Sequence, residues 1–281
     1  MEVPFKRLRP EAELPAAHHP GDAGLDLRAA IDAVVEPGER AMVPTGVAVA
    51  IPDGHAGLVL PRSGLASKQG LTMANAPGLI DAGYRGEVIC AVVNLDRDTP
   101  VKIHVGDRIA QLVIVRPEQP ADREAAIEVE RAAFGRPLEA DIAERVRDEP
   151  GSFAFVAEDG GEIVGHVQLS RAWVGADEVL ALGPIGVMPA RQRHGIGTAL
   201  IVAALTEARE RDAAAVILLG DPAYYGPRGF GPAGERGLSN PFAGLTEEDF
   251  EIDEADFQIA VFDDARVASM SGEVRWHPAF G

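Results

Sequence analysis

The spacing of apolar residues changes at one short segment, and that change limits what the chain can fold into. Before residue 116, short runs of Val, Ile and Leu alternate with Gly and Pro turns, which is typical of many short β-strands. After residue 120, runs with helical spacing alternate with strand-like runs, which indicates an α/β pattern. The segment between them, Arg116-Pro117-Glu118-Gln119-Pro120, holds two prolines and is typical of a linker. We therefore predict two domains, 1–118 and 119–281.

The first domain is predicted to be a β sandwich or jelly roll with no helix of useful length. The second is predicted to be α/β. Strands are expected at 40–51, 57–60, 87–95 and 109–115, then at 153–157, 163–169, 179–187 and 215–219, and helices at 122–134, 138–147 and 198–211.

Charge and cysteine content exclude several classes of protein. The formal net charge is −18, with 12 basic against 15 acidic residues in 1–118 and 14 against 29 in 119–281. Such a chain lacks the basic face needed to coat nucleic acid, so no nucleic-acid partner is expected. The single cysteine, Cys90, excludes an intrachain disulfide and is predicted to be buried in a strand. No apolar run is long enough to span a membrane and no signal peptide is recognisable, so a cytoplasmic protein is expected.

Four short segments of the first domain carry residues that suit phosphate and sugar chemistry. An Arg-Ser-Gly run offers a guanidinium, a hydroxyl and backbone amides to phosphate oxygens, and a glycine-rich turn exposes a carboxylate that can act as a base. Each segment alone is more simply a β-turn, but the four in this order point to a nucleotide site. They are Gly21-Asp22-Ala23-Gly24-Leu25-Asp26-Leu27, Pro61-Arg62-Ser63-Gly64-Leu65-Ala66, Asn75-Ala76-Pro77-Gly78-Leu79-Ile80-Asp81-Ala82-Gly83-Tyr84-Arg85-Gly86-Glu87, and Gly106-Asp107-Arg108-Ile109-Ala110-Gln111-Leu112.

Together these segments resemble four of the five motifs of the trimeric dUTP diphosphatases (dUTPases), over essentially all of 1–118. The resemblance implies an all-β jelly-roll homotrimer that hydrolyses dUTP to dUMP and pyrophosphate with Mg²⁺, at sites built from several subunits. It implies that Asp81 is the base that activates water, that Tyr84 packs on the deoxyribose, and that Asn75 reads uracil. The remaining implied roles are phosphate contacts for Arg62, Ser63, Gly64 and Gln111, and metal-bound water for Asp26.

One departure from that family leaves alternatives open. The fifth motif, a mobile arm with a Gly-Phe-Gly core, is missing from its expected place beyond Gln111, which predicts slow turnover. The domain could instead be a trimeric scaffold or a nucleotide sensor, or share the activity of the related dCTP deaminases, although Tyr84-Arg85-Gly86 favours a dUTPase. Arg228-Gly229-Phe230-Gly231 is similar to the core of the missing arm, but we expect it to belong to the second domain.

The second domain carries a loop that suits a pyrophosphate. Gln192-Arg193-His194-Gly195-Ile196-Gly197 lies between a predicted strand and a predicted helix. Glycines at a helix start let backbone amides face an anion. A Gly-x-Gly sequence alone is most simply a tight turn, but Tyr225-Gly226-Pro227-Arg228-Gly229-Phe230 follows the next strand.

This pair of motifs resembles the GNAT N-acetyltransferases over about 119–281, which implies an α/β fold with a mixed sheet. The resemblance implies that Tyr225 is the general acid for the departing thiolate and that an amine of unknown identity is the acceptor. For the general base, Glu178 and a chain of water molecules stay open. An acidic domain favours a cationic acceptor. The resemblance also implies that the backbone of Ile185 to Val187 pairs with the pantetheine. The residues implied to bind acetyl-CoA are Val187, Gln192, Arg193, His194, Gly195, Ile196 and Gly197.

Overall fold

The computed structural model describes residues 3–17, 24–159, 161–244, 246–247 and 250–281. Part of the first motif, 21–23, lies outside the described residues. The chain divides into two compact units. Unit 1 comprises Met1–Pro117, Val156–Gly165 and Val187–Ala199, and unit 2 comprises Glu118–Phe155, His166–Gly186 and Leu200–Gly281.

Up to Pro117, the described residues form short β-strands and a short helix. In chain order these are β1 (Phe5–Arg7), β2 (Leu25–Arg28), β3 (Ala33–Val35), β4 (Arg40–Val49), β5 (Ala56–Pro61), α1 (Ser63–Gln69), β6 (Leu71–Met73), β7 (Gly78–Asp81), β8 (Glu87–Asn94), β9 (Val101–Ile103) and β10 (Arg108–Pro117).

The strands of this part pair in antiparallel fashion. β4 lies between β1 and β8, and β8 also pairs with β6. β10 lies between β2 and β5, and β5 also pairs with β7. β3 and β9 form a separate pair. The expected β domain is therefore confirmed.

The inner faces of these strands form one apolar core. In β8, Val88, Cys90 and Val92 are buried while Ile89 is 44% exposed, which is the two-residue alternation of a strand with one buried face. Cys90 is buried as predicted, and desolvation raises the pKa of its thiol to about 12. The thiol therefore stays protonated and packs as a small apolar side chain.

The helix α1 differs from the expectation that this part contains no helix. It has seven residues and ends at Gly70, whose φ of 67° is left-handed and whose N–H donates to the carbonyl of Ala66. A Cβ at position 70 would lie 2.6 Å from the backbone nitrogen of Asp96, so only glycine fits this helix end. Two turns are too short for an apolar repeat to be recognised in the sequence.

After Pro117 the described chain alternates helices and strands. In order these are α2 (Arg123–Phe134), α3 (Leu138–Val146), β11 (Phe153–Asp159), β12 (Glu162–Val174), β13 (Asp177–Val187), α4 (Ile196–Glu210), β14 (Ala215–Leu219), α5 (Pro222–Tyr225), β15 (Gly231–Pro232), β16 (Leu238–Ser239), β17 (Thr246–Glu247), β18 (Phe250–Glu251), β19 (Phe257–Val261), α6 (Asp264–Ala268) and β20 (Gly272–Arg275).

The sheet of unit 2 is mixed, as expected. β14 is parallel to β13 and antiparallel to β19, and β15 pairs with the other edge of β19. β20 pairs with the end of β12, where Trp173 lies opposite Arg275. Parallel neighbouring strands need a crossover connection. The helix α4 provides it between β13 and β14, in the strand–helix–strand order that the sequence predicts.

The three long helices begin and end within two residues of their predicted positions. The apolar face of α2 meets that of α3, where Ile127 packs against Ala140 and Ala143. Across the described residues, every helix is too short or too polar to cross a lipid bilayer.

Candidate active sites

The first candidate site centres on one buried carboxylate held by two guanidinium groups. Asp26 lies on β2 with a side chain only 9% exposed. Its Oδ1 lies 3.0 Å from Nε of Arg62, and its Oδ2 lies 3.3 Å from Nη1 of Arg108. The carboxylate neutralises one of the two cations and fixes both, which leaves a net positive cluster that suits phosphate oxygens.

Strand register brings these residues together. Gln111 on β10 lies opposite Asp26 on β2 and opposite Leu60 on β5. Arg62 follows the end of β5, so its side chain reaches the same place. The Gln111 amide donates to the carbonyl of Pro61 at 3.2 Å, and a Cβ at Gly24 would lie 2.7 Å from its Oε1. Gly24 therefore leaves the space that the glutamine occupies.

Sequence reasoning missed Arg108, although it lies in the same motif as Gln111. The sequence did carry a signal for Arg108, because it lies on the same strand as Gln111. Both residues lie where β10 pairs with β2. Of the other implied phosphate contacts, Ser63 and Gly64 begin α1 directly after Arg62.

The hairpin around β7 carries the other implied nucleotide residues. Asn75 is exposed in the turn before β7, and Asp81 is exposed at its end. Tyr84 is 41% exposed, and its hydroxyl donates to the carbonyl of Glu87 at 2.7 Å. A Cβ at Gly86 would lie 2.6 Å from that hydroxyl, so the Tyr84 ring lies close over its own turn.

Within one chain, Asp81 and the arginine cluster lie at opposite ends of β5. Asp81 is opposite Ala56, whereas Gln111 is opposite Leu60. Four residues of strand span about 13 Å. One copy of unit 1 therefore does not place the implied base beside the implied phosphate contacts.

The second candidate site is the loop before α4. The end of β13 at Val187 leads into it, and the Gln192 amide donates to the Val187 carbonyl at 3.1 Å. Arg193 and Gly195 have left-handed φ values of 63° and 87°. The loop therefore turns sharply before the helix begins at Ile196, whose first N–H groups lack partners within the helix.

The side chains of this loop differ in exposure. Gln192, Arg193 and His194 are exposed, whereas the Ile196 side chain is buried, so Ile196 can face an anion only through its backbone. An exposed turn at the start of a 15-residue helix can bind a pyrophosphate through backbone N–H groups.

Tyr225 ends the short helix α5 and is enclosed by aromatic rings. Its ring centroid lies 4.9 Å from that of Tyr224 and 5.8 Å from that of Phe230. Burial is the main cause that raises the pKa of Tyr225 above its usual value. The phenol therefore stays protonated at neutral pH and can donate a proton.

Phe230 belongs to the core of unit 2. It is 6% exposed, packs on Tyr225, and precedes β15, which pairs with β19. This packing gives Phe230 a place in the core of unit 2, and the expectation that it does not serve as the missing arm stays a prediction.

Glu178 does not lie near the predicted acetyl site. It is exposed near the start of β13 and forms an ion pair with Arg171 at 3.5 Å. The end of this strand, at Gly186, is eight residues away, about 26 Å. This distance counts against Glu178 as the general base, and the choice between Glu178 and a chain of water molecules stays a prediction.

A buried acid and histidine were missed by sequence reasoning. Glu130 on α2 and His166 on β12 are both 0% exposed, and Nδ1 of His166 lies 2.6 Å from Oε1 of Glu130. The signal was present, because His166 interrupts an otherwise apolar strand. Periodicity alone does not tell a buried functional pair from a structural one.

These features define a β domain with an anion-binding cluster and a nucleotide-type hairpin, followed by an α/β domain with a helix-start anion loop. Residues 10–136 match the family model for dUTPase, and residues 121–225 match that for the acetyltransferase (GNAT) family.

Curated relatives of the chain are deoxyuridine 5′-triphosphate nucleotidohydrolases. That of Thermobifida fusca is 57% identical over 121 residues, 43% of this chain and 68% of the relative. That of Streptomyces coelicolor is 44% identical over 187 residues, 66% of this chain and 90% of the relative. The chain belongs to the dUTPase family.

The second part has a GNAT-like fold. The crystal structure of the GNAT family N-acetyltransferase YhbS from Escherichia coli, in complex with CoA, matches with a TM-score of 0.53 and 26% identity. The match covers 60% of this chain and 91% of that one.

Proposed function

We propose that the first part of the chain is a dUTP diphosphatase, which converts dUTP and water to dUMP and pyrophosphate. The observation that carries the proposal is the cluster of Arg62 and Arg108 on Asp26, with Gln111 in register beside it. A cluster with net positive charge in an acidic chain provides a local site for a triphosphate. The relatives named as nucleotidohydrolases support the substrate.

In the proposed reaction, Asp81 takes a proton from water, and the water oxygen attacks the α-phosphorus. The bond from that phosphorus to the bridging oxygen breaks, and pyrophosphate leaves with the bonding electrons. Asn75 reads uracil, Tyr84 packs on the deoxyribose, and the arginine cluster with Ser63, Gly64 and Gln111 holds the phosphates. A positioned base and fixed cations are the groups that stabilise such a transfer.

Magnesium fits this site as part of the substrate. Among the described residues, no three His, Cys, Asp or Glu side chains are grouped to hold a metal. Asp26 already accepts from two guanidinium groups, but each carboxylate oxygen has a second lone pair for a water molecule. We infer that Mg²⁺ arrives on the triphosphate and that Asp26 contacts its bound water.

A homotrimer is proposed because the site is incomplete in one copy. Asp81 and the arginine cluster lie about 13 Å apart along β5. The outer face of β4 and β8 also carries apolar side chains, with Met42 65% and Ile89 44% exposed on adjacent strands. An exposed apolar strip of this kind suits contact between copies, and the dUTPase resemblance implies three.

For the second part, beginning near residue 119, we propose an acetyl-CoA-dependent N-acetyltransferase. The turn at Arg193 and Gly195 and the protonated Tyr225 support it. The relative solved with CoA supports the cosubstrate. Val187 and the loop 192–197 would bind acetyl-CoA, and an amine would accept the acetyl group. The cytoplasm stays the predicted location.

One assay tests the dUTPase proposal. Pyrophosphate release is measured from dUTP, dCTP, dTTP and UTP, with Mg²⁺ and with EDTA. We expect release from dUTP alone, dependent on Mg²⁺. Ammonia release from dCTP would instead indicate a deaminase.

A nucleotide sensor or scaffold is the second candidate, because Phe230 is buried and the chain up to Pro117 offers no Gly-Phe-Gly arm in its described residues. It predicts dUTP binding without pyrophosphate release. Calorimetry with dUTP, run beside the turnover assay, separates the two.

A further inference from the structure

Glu130 has a carboxylate placed against the strand end that the proposed acetyltransferase site uses. A Cβ added at Gly186 would lie 2.6 Å from Oε2 of Glu130. The strand segment at 185–187 is where the GNAT resemblance places the pantetheine of acetyl-CoA. Gly186 therefore lets a carboxylate from α2 reach the backbone at that point.

The pair it forms with His166 has unused hydrogen-bonding capacity. Nε2 of His166 is buried and has no hydrogen-bond partner among the described residues. Oε2 of Glu130 is buried against Gly186, whose N–H hydrogen-bonds to the carboxylate, and an oxygen of this kind has a second lone pair for a water molecule. Two further side-chain atoms are buried without a hydrogen-bond partner among the described residues, Gln168 Oε1 and Ser170 Oγ. These residues follow His166 at alternate positions on β12. Buried polar atoms are nearly always satisfied, so this row calls for bound water or a ligand.

The charges that face the pair come from every neighbouring element. Burial raises the pKa of Glu130 well above its usual value; the N–H of Gly186 and the charge of Arg147 lower it in part, and Glu139 raises it further. Burial lowers the pKa of His166 to about 4, against the charge of Glu118. His166 therefore stays neutral and can donate its Nδ1–H to Glu130.

Tyr225 connects this pair to the proposed chemistry. Burial is the main cause that raises the pKa of Tyr225, the charge of Tyr224 adds to it, and the charge of Glu130 is a smaller contribution in the same direction. An ionised carboxylate whose pKa is raised is a stronger base than an exposed one.

We infer that Glu130 is the proton acceptor for the amine substrate of the acetyltransferase site, reached through water at Oε2, and that His166 is the residue that positions it. The inference rests on the proposed acetyltransferase. The substrate ammonium gives one proton to Glu130, which passes it to solvent. The amine nitrogen attacks the acetyl carbon, the C–S bond breaks, and the thiolate takes the proton of Tyr225. The second proton of the nitrogen restores the Tyr225 phenol.

A purely structural role is the competing explanation, because buried hydrogen-bonded polar pairs also fix the fold. The two roles differ in their dependence on pH. A missing base matters less at high pH, where the amine has already lost its proton. A missing structural contact matters at every pH.

The experiment compares Glu130→Gln with wild type in the full-length protein. The control is Glu128→Gln, which makes the same change on the outer side of the same helix, where the side chain is 68% exposed. Acetyl-CoA consumption is followed with putrescine, spermidine and a lysine-containing peptide over pH 6 to 10. We expect Glu130→Gln to lower kcat/KM by about 10²-fold at pH 7, the deficit to shrink toward pH 10, and the control to match wild type.

A second measurement needs no acceptor. The imidazole signals of His166, assigned by their loss in His166→Gln, are recorded with and without acetyl-CoA, while calorimetry measures binding. We expect binding together with a shift of these signals. Binding without a shift, or a deficit constant with pH, would overturn the inference and leave the acetyltransferase intact. No binding at all would overturn both.

Discussion

The central ion-pair cluster of unit 1 permits a prediction with a magnitude. In Asp26→Asn, the oxygen that remains can accept from only one of the two arginines, and the new NH₂ group faces the other cation. Breaking a buried ion pair costs about 3–5 kcal/mol. Since Arg62 and Arg108 are each 27% exposed and water can solvate them, we expect a loss of about 1–3 kcal/mol in the free energy of unfolding.

Asp26→Asn should also lower kcat/KM for dUTP, while the preference for dUTP over dCTP should change little. If Asp26 aims both guanidinium groups at the triphosphate, releasing them should reduce kcat/KM for dUTP by roughly 30- to 150-fold, which corresponds to about 2–3 kcal/mol. The preference for dUTP over dCTP should persist, because the base-reading hairpin is separate.

Thermal unfolding and steady-state pyrophosphate release measure the two effects. The control is Asp98→Asn, at an exposed position in a turn. The reasoning is refuted if Asp26→Asn keeps wild-type stability and wild-type kcat/KM. A stability loss with unchanged kcat/KM would show that the arginine cluster is structural.

Four further predictions follow from the proposed sites. Asp81→Asn should slow dUTP hydrolysis by roughly 10²–10⁴-fold while calorimetry still detects dUTP binding; unchanged turnover would remove Asp81 as the base. Light scattering should report about three times 29.6 kDa, and a fully active monomer would contradict the shared site. Tyr225→Phe should reduce acetyl transfer by about 10²-fold with acetyl-CoA still bound, whereas Gly195→Val, at a left-handed φ of 87°, should abolish that binding. Phe230→Ala should impair only acetyl transfer; a large loss of dUTP hydrolysis in a folded trimer would instead assign Phe230 to the missing arm.

The hydrophobic pattern predicted β4, β5, β8, β10–β14 and α2–α4, because alternation and helical spacing are local properties. The alternation in β8 and the spacing in α2 and α3 could be read directly, and burial of Cys90 followed from its apolar neighbours. The other strands and the helices α1, α5 and α6 were not placed from the pattern. The end of α1 depends on the close approach of Gly70 to Asp96, a contact between distant parts of the chain.

The order of the motifs, by itself, determined the family and the candidate site residues. The chemistry of a guanidinium, a turn carboxylate or a glycine-rich loop depends on residue type, which the sequence gives directly. Which of these groups meet was decided only by the tertiary structure. Strand register joins Asp26 to Arg62 and Arg108 and holds Asp81 away from them, and register depends on pairing across the whole domain. The pairing of Glu130 with His166 joins a helix to a strand 36 residues further along, and the desolvation that alters both pKa values exists only once the two have packed together.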